Sequence, residues 1–227
     1  MYNEPVQDTF MEQLNQKIVS VSYTDVCYER LKNDILTNKL RWGDKVDIAL
    51  IADAYGVSRS PVVRAVERLA LEGFIEILPY KGSFVRRPTF RDVIEVTELR
   101  IAYEMMACEL AFKKNRRALI ADISKLQDEY DQREMQEPEI PVEEFLDYDR
   151  HFHRIVMEKA ENQRMLDRYL VVRNQIEVYR VKTHSVGRAV ELHRRFVAKL
   201  NQEDLGAALS VLRLHLEEVG QEILQTI

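Results

Sequence analysis

Between residues 22 and 87 the apolar positions repeat first at helical and then at alternating spacing. Val26, Leu31, Ile35 and Leu36 predict a first helix over Tyr23–Asn38, with Thr24 as its cap. Ile48, Ile51 and Ala52 fall at i, i+3, i+4 and give a second helix one apolar face. Gly56 then supplies a sharp turn at no steric cost. Ser60 reads as the N-cap of a third helix and Pro61 as its first residue, where a missing N–H is not needed. Val62, Val66, Leu69 and Gly73 mark its buried stripe. Arg64, Glu67 and Arg68 point away from that stripe, and Arg59 stands at the helix entrance. Ile75–Leu78, a Pro79–Gly82 turn and Ser83–Arg86 read as a hairpin, with Arg86 and Arg87 on its return side.

From Phe90 onward the pattern is helical throughout. Six helices are expected, at about 91–114, 117–136, 141–160, 162–183, 187–200 and 203–225. Their breaks fall at Asn115, Pro138/Pro141, Asn162, Gly187 and Asn201. Short connections between helices of this length imply antiparallel packing. The expected fold class is therefore mainly α: an N-terminal winged helix-turn-helix domain plus a C-terminal all-helical, six-helix antiparallel bundle. The expected division is an arm at 1–20, a winged domain at 21–88 and a bundle domain at 89–227.

Composition narrows this picture without redrawing it. A hydrophobic content of 46% is enough for two cores. No apolar run approaches the roughly 20 residues of a membrane helix, so no membrane partner is expected. The start, MYNEPVQDTF, lacks the basic and apolar regions of a secretory signal. Cys27 and Cys108 lie far apart in helical patterns and read as buried reduced thiols. These features predict a cytoplasmic protein. The net charge of −5 argues against indiscriminate nucleic-acid binding, yet residues 20–90 hold 11 Lys/Arg against 9 Asp/Glu. Residues 91–227 hold 21 against 26, so the front is mildly basic and the body acidic.

Two sets of residues carry candidate chemistry. Arginines at the exposed N-terminal end of a helix, such as Arg59 and Arg64, can reach base edges or phosphates of double-stranded DNA. The bland alternative is a solvated amphipathic helix pair. The second set is in the bundle, which holds all five histidines. Asp149 and His153 are i, i+4 on one helix face, while His193 and His215 sit among apolar residues on two further helices. One carboxylate and three imidazoles on three helices suit a metal site inside a bundle. His151 points to the opposite face. Half-buried core histidines would show the same spacing, and periodicity alone leaves both readings open.

These residues carry a family resemblance. Ser58-Arg59-Ser60-Pro61-Val62-Val63-Arg64-Ala65-Val66, then Leu69, Glu72-Gly73-Phe74, Gly82 and Val85, resembles the winged helix-turn-helix of the GntR family of bacterial transcriptional regulators. Glu98-Leu99-Arg100, Glu104, Asp149-Arg150-His151-Phe152-His153, Ala160-Glu161-Asn162, His193 and His215-Leu216 resemble the FadR-type effector domain, FCD, and its short form looks like the VanR-type branch. The resemblance implies a transcriptional regulator, a repressor, that binds operator DNA through Ser58, Arg59, Ser60, Arg64, Lys81 and Gly82. It implies a divalent ion (Zn, Ni, Mn or Fe) on Asp149, His153, His193 and His215. It also implies a small organic-acid effector beside the ion, its carboxylate paired with Arg100. An ion pair of Arg100 with Glu104 is the other reading of that arginine. A single winged module buries little surface, so a homodimer on palindromic half-sites is expected. The family usually has Arg where this chain has Val63 and Glu where it has Arg64, which alters the expected operator preference. Two rival readings remain: a metal-dependent hydrolytic enzyme using the Asp/His set, and a helical interaction protein that does not bind DNA.

Overall fold

The computed structural model describes residues 22–180 and 186–227, which contain eight helices and one hairpin. In chain order these are α1 (Tyr23–Leu36), α2 (Ile48–Tyr55), α3 (Arg59–Leu71), β1 (Ile75–Leu78), β2 (Gly82–Val85), α4 (Phe90–Gln136), α5 (Val142–Lys159), α6 (Gln163–Tyr179), α7 (Val186–Asn201) and α8 (Leu205–Leu224). Two compact units result, one of residues 22–34 and 44–85, the other of residues 35–43 and the chain from Arg86 onward. The arm expected at 1–20, and the end of the helix expected to reach 183, lie outside the described residues.

In the first unit the caps differ from those expected, for local reasons. Ser22, not Thr24, caps α1: its Oγ accepts from the Asp25 N–H at 3.3 Å. Asp47 caps α2 by accepting from the Ala49 and Leu50 N–H groups. Gly56 closes α2 in the left-handed conformation, at φ 65°. α3 starts two residues earlier than expected, with Ser58 at its N-cap. Pro61 is therefore the third helical residue; having no N–H, it leaves the Ser58 hydroxyl without its usual capping donor there. Gly73 does not extend the buried stripe: α3 ends at Leu71, and Gly73 at φ 80° reverses the chain.

The stripe itself is formed by Val62, Ala65, Val66 and Leu69, all buried. β1 and β2 are antiparallel, with Ile75 opposite Val85 and Leu78 opposite Gly82. β2 ends at Val85, so Arg86 is off the strand and instead pairs with Asp92 at 2.5 Å. The segment before α2 joins the hairpin, with the Val46 N–H donating to Ser83 O at 2.8 Å and the Val85 N–H to Asp44 O at 2.9 Å.

In the second unit α4 opens with a capping box formed by Thr89 and Asp92. Its ladder breaks at Asn115, where φ is −135° and ψ is 33°. Counting the two arms separately, the five helices of this unit give six straight pieces, as the spacing predicts. The break is anchored. Asn115 Nδ2 donates to Lys159 O, and Lys114 Nζ donates to Ala160 O, both at 2.9 Å. The last carbonyls of α5 are thereby satisfied by side chains of α4. Asn162 and Asp204 cap α6 and α8. Leu119, Ile123, Phe145, Phe152, Phe196 and Leu212 fill the core, each contributing about 1.5–3 kcal/mol by burial. Both cysteines are free and buried, and burial pushes the Cys108 thiol up to about 12. No helix among the described residues is long and apolar enough to cross a membrane.

Candidate metal centre and DNA-reading helix

Helical spacing places Asp149 and His153 one turn apart on the buried face of α5, and α7 and α8 bring His193 and His215 to the same point. All four residues are at least 97% buried. Asp149 Oδ1 lies 3.5, 3.7 and 3.9 Å from Nε2 of His153, His193 and His215. His215 Nε2 is 3.1 Å from His153 Nε2 and 3.2 Å from His193 Nε2. One atom from each residue thus falls within a sphere where all lie no more than 4.8 Å apart.

The surrounding hydrogen bonds decide which ring nitrogens face inward as acceptors. His153 Nδ1 meets Glu104 Oε2 at 2.5 Å, so Nδ1 carries the donated proton and Nε2 presents a lone pair. The Tyr148 hydroxyl donates to Gln127 Oε1 at 2.6 Å and is left to accept from His193 Nδ1–H at 3.2 Å. His193 Nε2 is then a second lone pair. His215 Nε2 faces both and has at most one proton to give. Asp149 Oδ1 is buried with no hydrogen-bond partner among the described residues. A buried acceptor without a donor is costly, and a cation among these donors removes the conflict. Ligands about 2.0–2.2 Å from a shared ion stand about 2.8–3.6 Å apart, close to the separations found. The donor set fits a divalent metal.

Burial pushes the Asp149 carboxyl up, but the Arg180 guanidinium at 3.0 Å and the imidazoles hold it well below the usual carboxylate range. Glu104 is likewise opposed by burial, yet His153 and Arg100 bring it to about 2. Burial, reinforced by the field of His153, takes His193 down to about 3. His215 is also driven well down, by burial and the two neighbouring imidazoles. Neutral imidazoles and an ionised carboxylate are the ligating forms. Phe152 stacks on the His193 ring at 3.8 Å and 11°, fixing its plane.

Arg100 is 98% buried, and its Nε donates to Glu104 Oε1 at 2.7 Å. The ion pair with Glu104, one of the two readings of Arg100, is present. His151 is exposed and bonds to Asp147 O, away from the centre, and His184 lies outside the described residues. Sequence reasoning does not connect three further residues, Tyr148, Glu104 and Arg180, to the centre. Glu104 stands in a motif already noted, as the alternative partner of Arg100, and Tyr148 directly precedes the motif that opens at Asp149. Arg180 gives no sequence signal of its position on Asp149, since the contact spans 31 residues.

On α3, Ser58, Arg59, Ser60 and Arg64 are all exposed, and Val63 is half-buried. Among the described residues Arg59 and Arg64 form no ion pair. Arg68 is committed elsewhere: it lies 3.7 Å over the Tyr28 ring and pairs with Asp25 at 3.2 Å, locking α3 to α1. At the hairpin tip Lys81 is exposed, and Gly82 adopts φ 109°. Tyr80 is fully exposed and stands at φ 63°, a conformation that disfavours a bulky side chain.

Comparison with known proteins agrees with this architecture. Residues 22–85 match the bacterial regulatory proteins of the gntR family, and residues 95–218 match the FCD domain. The chain belongs to the GntR family of transcriptional regulators, in its FCD-containing, FadR-type branch. It is 22% identical over 198 residues to YdhC of Bacillus subtilis strain 168, an uncharacterised HTH-type transcriptional regulator, covering 83% of this chain and 85% of that one. It is 22% identical over 202 residues to the HTH-type transcriptional repressor RspR of Escherichia coli K12, covering 87% of each. The solved structure of E. coli McbR/YncC superposes with a TM-score of 0.71 at 18% identity, covering 91% of this chain and 99% of that one. The protein is a DNA-binding regulator and not an enzyme, which removes the hydrolase reading and that of a helical protein without DNA affinity.

Proposed function

We propose that this regulator represses transcription as a homodimer on a palindromic operator, and that a small carboxylate bound beside a divalent ion in the bundle changes its operator affinity. The observation that carries the reading is Asp149 Oδ1, buried without a donor among the described residues and facing three imidazole nitrogens. Asp149, His153, His193 and His215 would hold the ion, with Zn, Ni, Mn or Fe compatible with this mixed O/N set. When bound, the ion supplies a Lewis-acid anchor for an anionic group. Charge favours an acid as effector. Asp149 and Glu104 are balanced by Arg180 and Arg100, so two added positive charges call for an anion in the buried centre. Arg100 lies within electrostatic reach of Asp149 and His215, where it reinforces that demand. The E. coli relative at 22% identity is named a repressor, which supports the direction of control.

Operator reading is assigned to Ser58, Arg59, Ser60 and Arg64 on α3 and to Lys81 and Gly82 on the hairpin. Because Val63 is half-buried, Arg64 is the arginine offered outward at this point of the helix. Arg59→Ala is expected to cost roughly 1–3 kcal/mol of operator affinity if Arg59 grips a guanine edge, and to relax the preference at that base pair. Mobility shifts on duplexes from the region upstream of the protein's own gene, across a salt series, test this. Equal affinity for those duplexes and for random DNA would overturn the operator assignment. Elemental analysis of the purified protein tests the ion, sedimentation tests the dimer, and operator titrations with a panel of small carboxylates test the effector.

Tyr80 makes a prediction of opposite signs. Substitution by glycine relieves about 1–2 kcal/mol of left-handed strain and adds about 0.5–1 kcal/mol of chain entropy to the unfolded state. Tyr80→Gly should therefore be more stable by about 0.5–1 kcal/mol while binding operator less tightly, since the strained tip presents its ring to the DNA. Urea melts and mobility shifts on the same preparation check both arms, and unchanged operator affinity would show that the ring takes no part.

A further inference from the structure

Glu104 is a buried carboxylate that ties three helices of the second unit together. It lies on α4, fully buried, and accepts from three elements at once: Arg100 Nε at 2.7 Å from its own helix, His153 Nδ1 at 2.5 Å from α5, and the Tyr169 hydroxyl at 3.1 Å from α6. His193 is backed differently, by the neutral hydroxyl of Tyr148 at 3.2 Å. His153 and His193 are thus not equivalent: among the described residues the far nitrogen of His153 leans on a carboxylate and that of His193 on a hydroxyl.

We infer that Glu104 is the positioning residue of the centre: it holds His153 with Nε2 turned inward and strengthens that nitrogen as a donor to a divalent cation. This rests on the metal reading above and extends it to a residue that touches no ion. A carboxylate on the far nitrogen of a ligating histidine fixes its tautomer and ring orientation and raises its basicity. Here the same carboxylate also fastens α4 to the helix bearing Asp149 and His153. The carboxylate's negative charge is neutralised by Arg100, so the arrangement can stand inside the core without a net charge of its own.

Full-length protein answers the question in two measurements. The first is 15N-histidine NMR of metal-free protein, which reads the His153 tautomer. The second is Zn²⁺ affinity by competition with a chromophoric chelator. Wild type should show Nδ1–H at His153. Glu104→Gln, which keeps a carbonyl oxygen to accept that proton, should preserve the tautomer and weaken Zn²⁺ about tenfold. Glu104→Leu should lose the tautomer preference and weaken Zn²⁺ about 10- to 100-fold. Tyr169→Phe, which removes one bond to Glu104 without touching His153, should leave the tautomer in place.

A folded Glu104→Leu protein with wild-type Zn²⁺ affinity and an unchanged His153 tautomer would overturn the inference. Where loss of the carboxylate strands Arg100 and prevents folding, the double variant Arg100→Met/Glu104→Leu removes both charges and is read the same way. Failure of wild type to take up Zn²⁺ would sink the metal reading. The tautomer measurement would still decide whether Glu104 governs His153.

Discussion

Replacing Asp149 by alanine is expected to abolish metal retention and to destabilise the metal-free protein by about 3–5 kcal/mol. The two effects have separate causes. Oδ1 is the only oxygen in the donor set, so its loss leaves three imidazoles. Oδ2 accepts from Arg180 at 3.0 Å with both side chains buried, and removing it breaks this buried ion pair. Asp149→Asn separates them: the amide oxygen can still accept from Arg180, so most of the stability should return while metal affinity stays low. Elemental analysis and urea melts in chelator read the two effects. Full metal content in Asp149→Ala would remove the centre from the proposal. The operator affinity of both variants should no longer respond to a carboxylate effector, while α3 remains intact.

The second large effect is acid sensitivity of the metal-free protein. His193 titrates near 3 in the fold and His215 is also well below its ordinary value, against about 6.5 in an unfolded chain. Between those values the unfolded state binds the extra proton, so stability falls as pH drops below about 6.5. The slope approaches about 1.4 kcal/mol per pH unit for each such imidazole. Glu104, at about 2 in the fold against about 4.3 unfolded, acts lower down: its contribution is complete above about pH 4.3 and disappears as pH falls toward 2. Thermal melts of chelator-treated protein from pH 7 to pH 4 should descend steeply below about pH 6.5. A bound metal should hold the melting temperature up until its imidazoles protonate. A flat profile from pH 7 to pH 5 would contradict the burial of His193 and His215.

The parts of this molecule that were legible in its sequence are those settled within a few residues. The six helical pieces of the bundle follow from 3.6-residue periodicity, and Asn115 is readable as a break because asparagine is a plausible helix stop or cap. The start of α3 lies two residues before the one that residue type suggests. Ser58 and Ser60 are equally good caps by residue type, and only the chain path shows that Pro61 occupies the third position rather than the first. Gly73 was read as part of a stripe because position alone does not reveal a positive φ. Helical spacing singles out the four metal candidates, but only the family resemblance favours a metal site over core histidines, since docking of α5, α7 and α8 cannot be deduced from spacing. The contacts of Tyr148, Glu104 and Arg180 with the ligands lie beyond reach for the same reason: each joins helices that are far apart in the chain.

The break at Asn115 has a mechanical consequence. Residues 90–114 of α4 form a helical arm about 37 Å long. Its lower end is bolted through Lys114 and Asn115 to the final carbonyls of the helix that carries Asp149 and His153. Its upper end, Phe90, is five residues from the last residue of the hairpin. By lever geometry, a rotation of about 5° at Asn115 would displace the far end of an arm of that length by about 3 Å. That is comparable to the rise of one base pair along a DNA duplex.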